Sequence, residues 1–239
     1  MLTIFGFYTD DKLYTKHAQI LEQSAKKFDI NVELREFSKN DWQKIIAFKP
    51  TFIAQMRREI KGPILYIDAD AVVLEDIRPY FSNIKEDIAV HLMNDERLVS
   101  STLFINETPN AHALMNEWEK RMLAEPERWD QVILQELVFE WLEAGKITLK
   151  NLPPSYTFIF DTSRRVYGND VKPIIEQLQA SRDMRWIEKY KRRNALYQWL
   201  MRFPHLLKSS QKISKRHAVV NDRTQRLGID IKLTLDDLI

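Results

Sequence analysis

Asp68 and Asp70 stand one residue apart at the end of the apolar run Ile64-Leu65-Tyr66-Ile67, just before Ala71-Val72-Val73. In a regular strand, carboxylates at i and i+2 share a face. Two anions so close repel unless a cation or hydrogen-bond donors intervene. A hard divalent metal carrying phosphates would resolve the repulsion, since Mg²⁺ typically uses one or two carboxylates plus substrate oxygens. The alternative is that the strand has ended and both carboxylates face water, one of them capping the next turn. Spacing alone leaves both readings open.

The elements that must position this pair read as follows. Ile64 to Ile67 is a short β-branched and aromatic run, as expected of a strand covered on both faces. Pro63 suits its entry. The pair then falls at the carboxyl end of the strand, where open α/β sheets hold ligands. Upstream, Thr3 to Tyr8 predicts a strand, and Ala18, Leu21, Ala25 and Phe28 have helical spacing. Val32 to Phe37 predicts a second strand, and Trp42 to Ile60 a helix interrupted at Lys49-Pro50.

Downstream, Ile77 to Phe81 reads as a loop or short turn, and Ile88 to Leu92 and Ser101 to Ile105 as strands. Thr108-Pro109-Asn110 opens a helix with Ala111, Leu114, Met115, Trp118 and Met122 on its apolar face. A helix from Gln131 to Trp141 stops near Gly145. Ile147 to Leu152 predicts a strand, broken by Pro153-Pro154. The alternation predicts an α/β fold with a mostly parallel sheet and flanking helices. Ile229 to Leu233 alternates like an edge strand.

The chain has 239 residues, enough for one domain and an appendage, and 44% of them are hydrophobic, ample for a core. It has no cysteine, which excludes disulfides and thiolate metal sites and suits a reducing cytoplasm. The amino terminus lacks a basic n-region and does not read as a signal peptide. No apolar run approaches the ~18 residues of a membrane span. The net charge of +2 hides an asymmetry: Arg182 to Arg216 holds eleven Lys and Arg against Asp183 and Glu188, and elsewhere 25 bases face 32 acids. The division expected is residues 1–184 as the main domain and 185–239 as a basic, aromatic, helical appendage.

Four segments together resemble the GT-A glycosyltransferases, especially those related to family 8 and the nucleotide-diphospho-sugar transferases. Leu65-Tyr66-Ile67-Asp68-Ala69-Asp70 resembles their Asp-x-Asp motif, which implies that Asp68 and Asp70 bind Mn²⁺ or Mg²⁺ and that the metal binds the diphosphate of a nucleotide-sugar, with UDP the nucleotide implied. Phe7-Tyr8-Thr9-Asp10-Asp11 with Tyr14 resembles the loop that holds nucleobase and ribose. Lys49 resembles a basic residue that helps hold the donor. Ser101 to Pro109 resembles the strand behind the donor sugar, with Ser101 where relatives usually have glycine. Trp129-Asp130-Gln131 resembles the pair that faces the anomeric carbon, which implies that Asp130 hydrogen-bonds the donor sugar and Gln131 sits on its reacting face. By its position ahead of an apolar-periodic run, Asp130 also reads as a helix N-cap.

A fifth segment departs from the family. Relatives usually supply a histidine as third metal ligand, and Gln177 stands at that place, with Arg182 as the base that follows. His217 is a second candidate ligand. The resemblance implies a metal-assisted, retaining transfer to a glycan or lipid-linked acceptor. The segment Arg185 to Arg216 would then be a peripheral contact with an anionic membrane, a nucleic-acid contact (the least favoured), or a packed helix with a solvated basic face. Two rivals differ in class. A haloacid-dehalogenase-type phosphatase also uses a strand ending in Asp-x-Asp, but normally near the amino terminus and with a later paired-Asp strand, whereas Asp236-Asp237 ends this chain. A catalytically inactive GT-A domain acting as a binding module is the other.

Overall fold

Apolar residues alternate along the central strands with no polar face between them, so both faces of the sheet need cover. In the computed structural model, which describes residues 2–38, 42–191, 196, 199 and 208–238, both faces have it. The chain runs β1 (Thr3–Thr9), α1 (Lys12–Lys26), β2 (Asn31–Phe37), α2 (Trp42–Glu59), β3 (Ile64–Ile67), β4 (Ala71–Val73), α3 (Arg78–Phe81), β5 (Ile88–Met93) and β6 (Arg97–Ile105). It continues with α4 (Pro109–Ala124), α5 (Asp130–Glu143), β7 (Leu149–Asn151), β8 (Phe158–Ile159), α6 (Phe160–Tyr167), β9 (Ile175–Gln177), α7 (Ala180–Lys191) and α8 (Lys208–Arg226). The main sheet has the order β2-β1-β3-β6-β5-β7. Only β6 runs against the other five strands, so the sheet is mostly parallel.

Phe5, Ile64, Tyr66, Val90, Leu103 and Ile105 face one way and pack with α2, α4 and α5. Ile4, Leu65, Ile67, Ala89 and Phe104 face the other way, toward α1 and α3. Gly6 lies where the strands press closest: a Cβ there would stand 2.6 Å from the carbonyl oxygen of Ile67, the residue before Asp68. After β3 the chain turns at Asp68-Ala69-Asp70 and enters a second sheet of order β4-β9-β8. The run from Ile64 to Val73 is therefore two strands in two sheets, and the carboxylate pair is the corner between them.

Several expectations need correction. The helix expected to break at Lys49-Pro50 runs through Pro50. The proline removes one backbone donor, but Phe52, Ile53, Ala54 and Met56 beyond it are fully buried, and that packing holds the helix together. Residues 77–81 include a one-turn helix. The last predicted strand is confined to Leu149–Asn151. The stretch Ile229 to Leu233 forms no strand: Ile229 and Leu233 are buried, Leu233 in a cluster with Leu13, Tyr14, Ile213 and Val220. The side chain of Asn221 supplies both partners of the Leu233 backbone, at 2.8 and 3.0 Å. Among the described residues no helix is long and apolar enough to cross a membrane. Of the aromatic and apolar residues Trp186, Tyr190, Trp199, Leu200 and Phe203 that the membrane reading would place at the interface, Leu200 and Phe203 lie outside the described residues, as does most of the segment between α7 and α8.

Candidate functional site

Tyr66 and Asp68 share a face because they are two residues apart at the end of β3, and the Tyr66 hydroxyl donates to Asp68 Oδ1 at 2.8 Å. Lys49 arrives from α2. Its ammonium lies 3.2 Å from the same Oδ1, 3.7 Å from Asp130 Oδ2 on the first turn of α5, and 4.6 Å from the centre of the Tyr66 ring. It also donates to the carbonyl and hydroxyl of Ser100 on β6. Burial works against this ammonium, but Asp68 and Asp130 outweigh it and the net effect raises its pKa. Lys49 is therefore a charged hub joining α2, β3, β6 and α5.

Asp70 occupies a different environment. Its carboxylate accepts from the Ala180 N–H at the start of α7 at 2.7 Å, and its carbonyl accepts from Leu178 N–H at 2.7 Å. Burial and the nearby Asp68 push its pKa up to about 7. Gln177 is the next-door residue across the β4–β9 ladder, paired with Ala71. Its Nε2 donates to the carbonyl of Ser101 and to Thr102 Oγ1, both at 3.1 Å. A carbonyl can only accept, which fixes the amide orientation. Gln177 Oε1 is thereby left buried with no partner among the described residues. The same Ser101 carbonyl accepts from the Asp68 N–H at 3.0 Å, so one backbone oxygen on β6 ties Asp68 and Gln177 together.

Three oxygen-bearing side chains, Asp68, Asp70 and Gln177, thus converge on the carboxyl end of β3. Two are carboxylates, one of them, Asp70, buried and held toward its neutral form. The third is an orphaned acceptor, which costs free energy unless a donor or cation meets it. Hard oxygen donors of this kind fit a hard divalent cation such as Mg²⁺ or Mn²⁺. Among the described residues no group of three or more His, Asp or Glu side chains could hold a metal ion. Gln177 is therefore what distinguishes this corner from a bare carboxylate pair.

With this geometry in view, comparison with known proteins is decisive. Residues 8–185 match the family model for nucleotide-diphospho-sugar transferases. The chain belongs to that family. The fold agrees: the crystal structure of a glycosyltransferase involved in the glycosylation of the major capsid of PBCV-1 superposes with a TM-score of 0.56 at 13% identity, over 74% of this chain and 94% of that one. The glycosyltransferase GlyE of Streptococcus pneumoniae superposes with a TM-score of 0.53 at 13% identity, over 73% of this chain and 53% of that one. No curated protein matches the chain in sequence. The protein is accordingly a glycosyltransferase with a GT-A fold, and the phosphatase reading falls away.

The other anticipated residues of this nucleotide-sugar transferase take mixed places. Asp130 is not the N-cap of α5; that position falls to Trp129, which makes no side-chain cap, and Asp130 is the first helical residue, where its charge favours the helix dipole. Gln131 Oε1 faces the N–H and hydroxyl of Ser100 at 3.4 and 3.5 Å. The Ser101 hydroxyl meets Thr157 Oγ1 at 3.0 Å.

Thr9 Oγ1 donates to Asp11, and Asp11 caps α1 by accepting from Tyr14 N–H. Asp10 is exposed at the same loop, with its N–H on the Phe37 carbonyl. Tyr14 is buried in a cluster with Val72, Leu178 and Ala180. Burial, then Asp70 and Asp68, hold its phenol well above its usual pKa. Arg182 turns away to α6, where Asp161 and Thr162 hold it. His217 pairs with Asp183 on α7 instead of joining the corner.

Sequence reasoning missed Tyr66, Ser100 and Thr102. Tyr66 was recoverable from the same i, i+2 rule that pairs Asp68 with Asp70. Ser100 and Thr102 carry no signal, because their roles depend on β6 lying antiparallel beside β3.

Proposed function

We propose that the protein transfers a sugar from a UDP-sugar to a glycan or lipid-linked acceptor, with a divalent metal at the Asp68–Asp70–Gln177 corner. The observation that carries this reading is the buried Gln177 Oε1, unpartnered among the described residues, on the strand paired with β4 just after Asp70. A metal there would be held by Asp68, Asp70 and Gln177, with diphosphate oxygens completing its shell; bound, it would act as a Lewis acid on the leaving diphosphate.

The residues of the chain do the rest. Lys49 holds the Asp68 and Asp130 carboxylates in fixed directions, which pre-organises them before any ligand arrives. Asp130, anchored at a helix start, hydrogen-bonds the donor sugar and orients it. Gln131, next along the helix, presents its amide beside that sugar. The Ala180 N–H and the first turn of α7 keep Asp70 from rotating off the phosphates. No strong protein base is assigned to the acceptor hydroxyl, in keeping with a retaining transfer in which the leaving phosphate takes the proton.

Calorimetric titration of UDP, GDP and CDP, with and without Mn²⁺, tests this reading. Metal-dependent binding of UDP is the expected result. Metal-independent binding would remove the corner from the mechanism. Failure of all three nucleotides to bind would overturn the donor-site reading.

A further inference from the structure

Helix α8 lies beyond the residues that match the family, yet it reaches the run that carries Gln177. That run, from Glu176 to Asp183, is tied at both ends to α8. Glu176 on β9 is fully buried and accepts from Arg223 Nε at 2.8 Å, with Arg164 of α6 at 3.3 Å on its other oxygen. Asp183 on α7 is also buried and pairs with Arg216 and with His217 Nε2. Arg216 and Arg223 are seven residues apart, two turns of one helix face, or about 10 Å. Ile213, His217 and Val220 on the same side of α8 are buried, so the helix is seated.

Between the two ties lies everything the corner borrows from this side. Gln177 supplies the orphaned oxygen. Leu178 and Ala180 donate their N–H groups to Asp70. Gln179 sits at φ +64, a left-handed conformation that a side chain adopts only when its surroundings impose it. A short run with a strained residue at its centre will relax unless both flanks are fixed.

We infer that α8 is a splint for the donor site: Arg223 and Arg216 are positioning residues that hold Gln177 and the start of α7 in register with Asp70. The inference rests on the donor-site reading above. Without its α8 arginine each of these buried carboxylates keeps one weaker partner, Arg164 for Glu176 and His217 for Asp183, and one oxygen loses its ion pair, a cost that buried charges bear only when paired.

The test uses the full-length protein as Arg223→Met, Arg223→Lys and Arg216→Met, with Arg226→Met as control. Arg226 is on the same helix, largely exposed, and paired only with Asp222. Two quantities are read: amide hydrogen exchange in the peptide spanning 175–183 against peptides from β1 and β3, and affinity for UDP with Mn²⁺. Arg223→Met should exchange faster at Leu178 and Ala180 by about tenfold or more while β1 and β3 keep their protection, and should lose about tenfold in UDP affinity. Arg223→Lys should recover part of both, and Arg226→Met should match wild type.

Should Arg223→Met loosen β1 and β3 as well, Arg216→Met reports the second tie on the same peptides. Exchange and affinity in both variants indistinguishable from Arg226→Met would overturn the splint. Wild-type protein that binds no UDP overturns the donor-site reading and the functional half of this inference together, and the exchange data then show only whether the ties are structural.

Discussion

Replacing Asp70 with asparagine should make the metal-free protein more stable and its donor site inert. Asp70 is buried beside Asp68, and its pKa rises from the ordinary 3.8 to about 7. The unfolded chain therefore ionises this group first. Between about pH 4 and pH 7 the unfolded state has released a proton that the folded state retains, so stability falls as pH rises through this window. Above pH 7 the full penalty is present. At about 1.4 kcal/mol per pKa unit, the gap amounts to about 4 kcal/mol.

Asparagine removes the charge but keeps an oxygen to accept from Ala180 N–H. For a chain of this size the gain corresponds to a rise in Tm of about 10 °C at pH 8, shrinking to nothing near pH 4. Thermal unfolding by circular dichroism across pH 4 to 8, with and without Mn²⁺, measures it. The same variant should lose the stabilisation that Mn²⁺ with UDP gives wild type. Equal Tm for Asp70→Asn and wild type at pH 8 would refute the claim that this corner holds a strained, desolvated anion awaiting a cation.

Three more changes bear on the same framework. Lys49→Met leaves Asp68 and Asp130 without their shared cation, and should cost about 3 kcal/mol in a denaturant melt, the low end for a broken buried pair because Asp68 keeps some contact with water. It should weaken both UDP and UDP-sugar binding, the latter more, since Asp68 at the phosphate corner keeps its Tyr66 hydrogen bond while Asp130 loses its anchor. Trp129 is 74% exposed beside Asp130; Trp129→Ala should change stability by less than about 0.5 kcal/mol in a denaturant melt and leave UDP affinity intact. His17, wholly buried with both ring nitrogens unpartnered, has its pKa lowered to about 4, first by burial. Here the unfolded chain binds the proton first, so His17 contributes a loss of about 3 kcal/mol as pH drops from about 6.5 to 4, and His17→Leu should remove that contribution in urea melts.

How much of this was legible in the sequence depends on whether a residue acts through its neighbours in the chain or across the fold. The strand before Asp68 and the buried face of α4 follow from periodicities and local chemistry, and the structure repeats them. The pairing of Lys49 with Asp130 does not, because 81 residues of chain separate two side chains that only the packing of α2 against α5 brings to 3.7 Å. The expectation of a strand over Ile64 to Ile67, ending at the Asp pair, assigns no element to Ala71 to Val73, although that stretch is as apolar. Nothing local says that the second stretch pairs with β9 instead of extending β3. Yet that change of sheet brings the Asp70 carboxylate to the Ala180 N–H and buries it, which with Asp68 nearby raises its proton affinity.

The two titrations also act against each other, and this bears on how the wild type should behave. From pH 4 to 6.5 Asp70 destabilises the fold as pH rises, while His17 stabilises it, by similar amounts of about 3 to 4 kcal/mol. Their sum is nearly level, so the wild-type stability profile should look featureless where two buried groups are both changing state. Each single variant should uncover the other slope: His17→Leu should grow less stable as pH rises, and Asp70→Asn more stable. The double variant should be level again, but higher. Additivity is expected because His17 on α1 makes no hydrogen bond to the Asp68–Asp70 corner. A tilted wild-type profile, with single variants that leave it unchanged, would mean that neither group is held out of water as the packing around it requires.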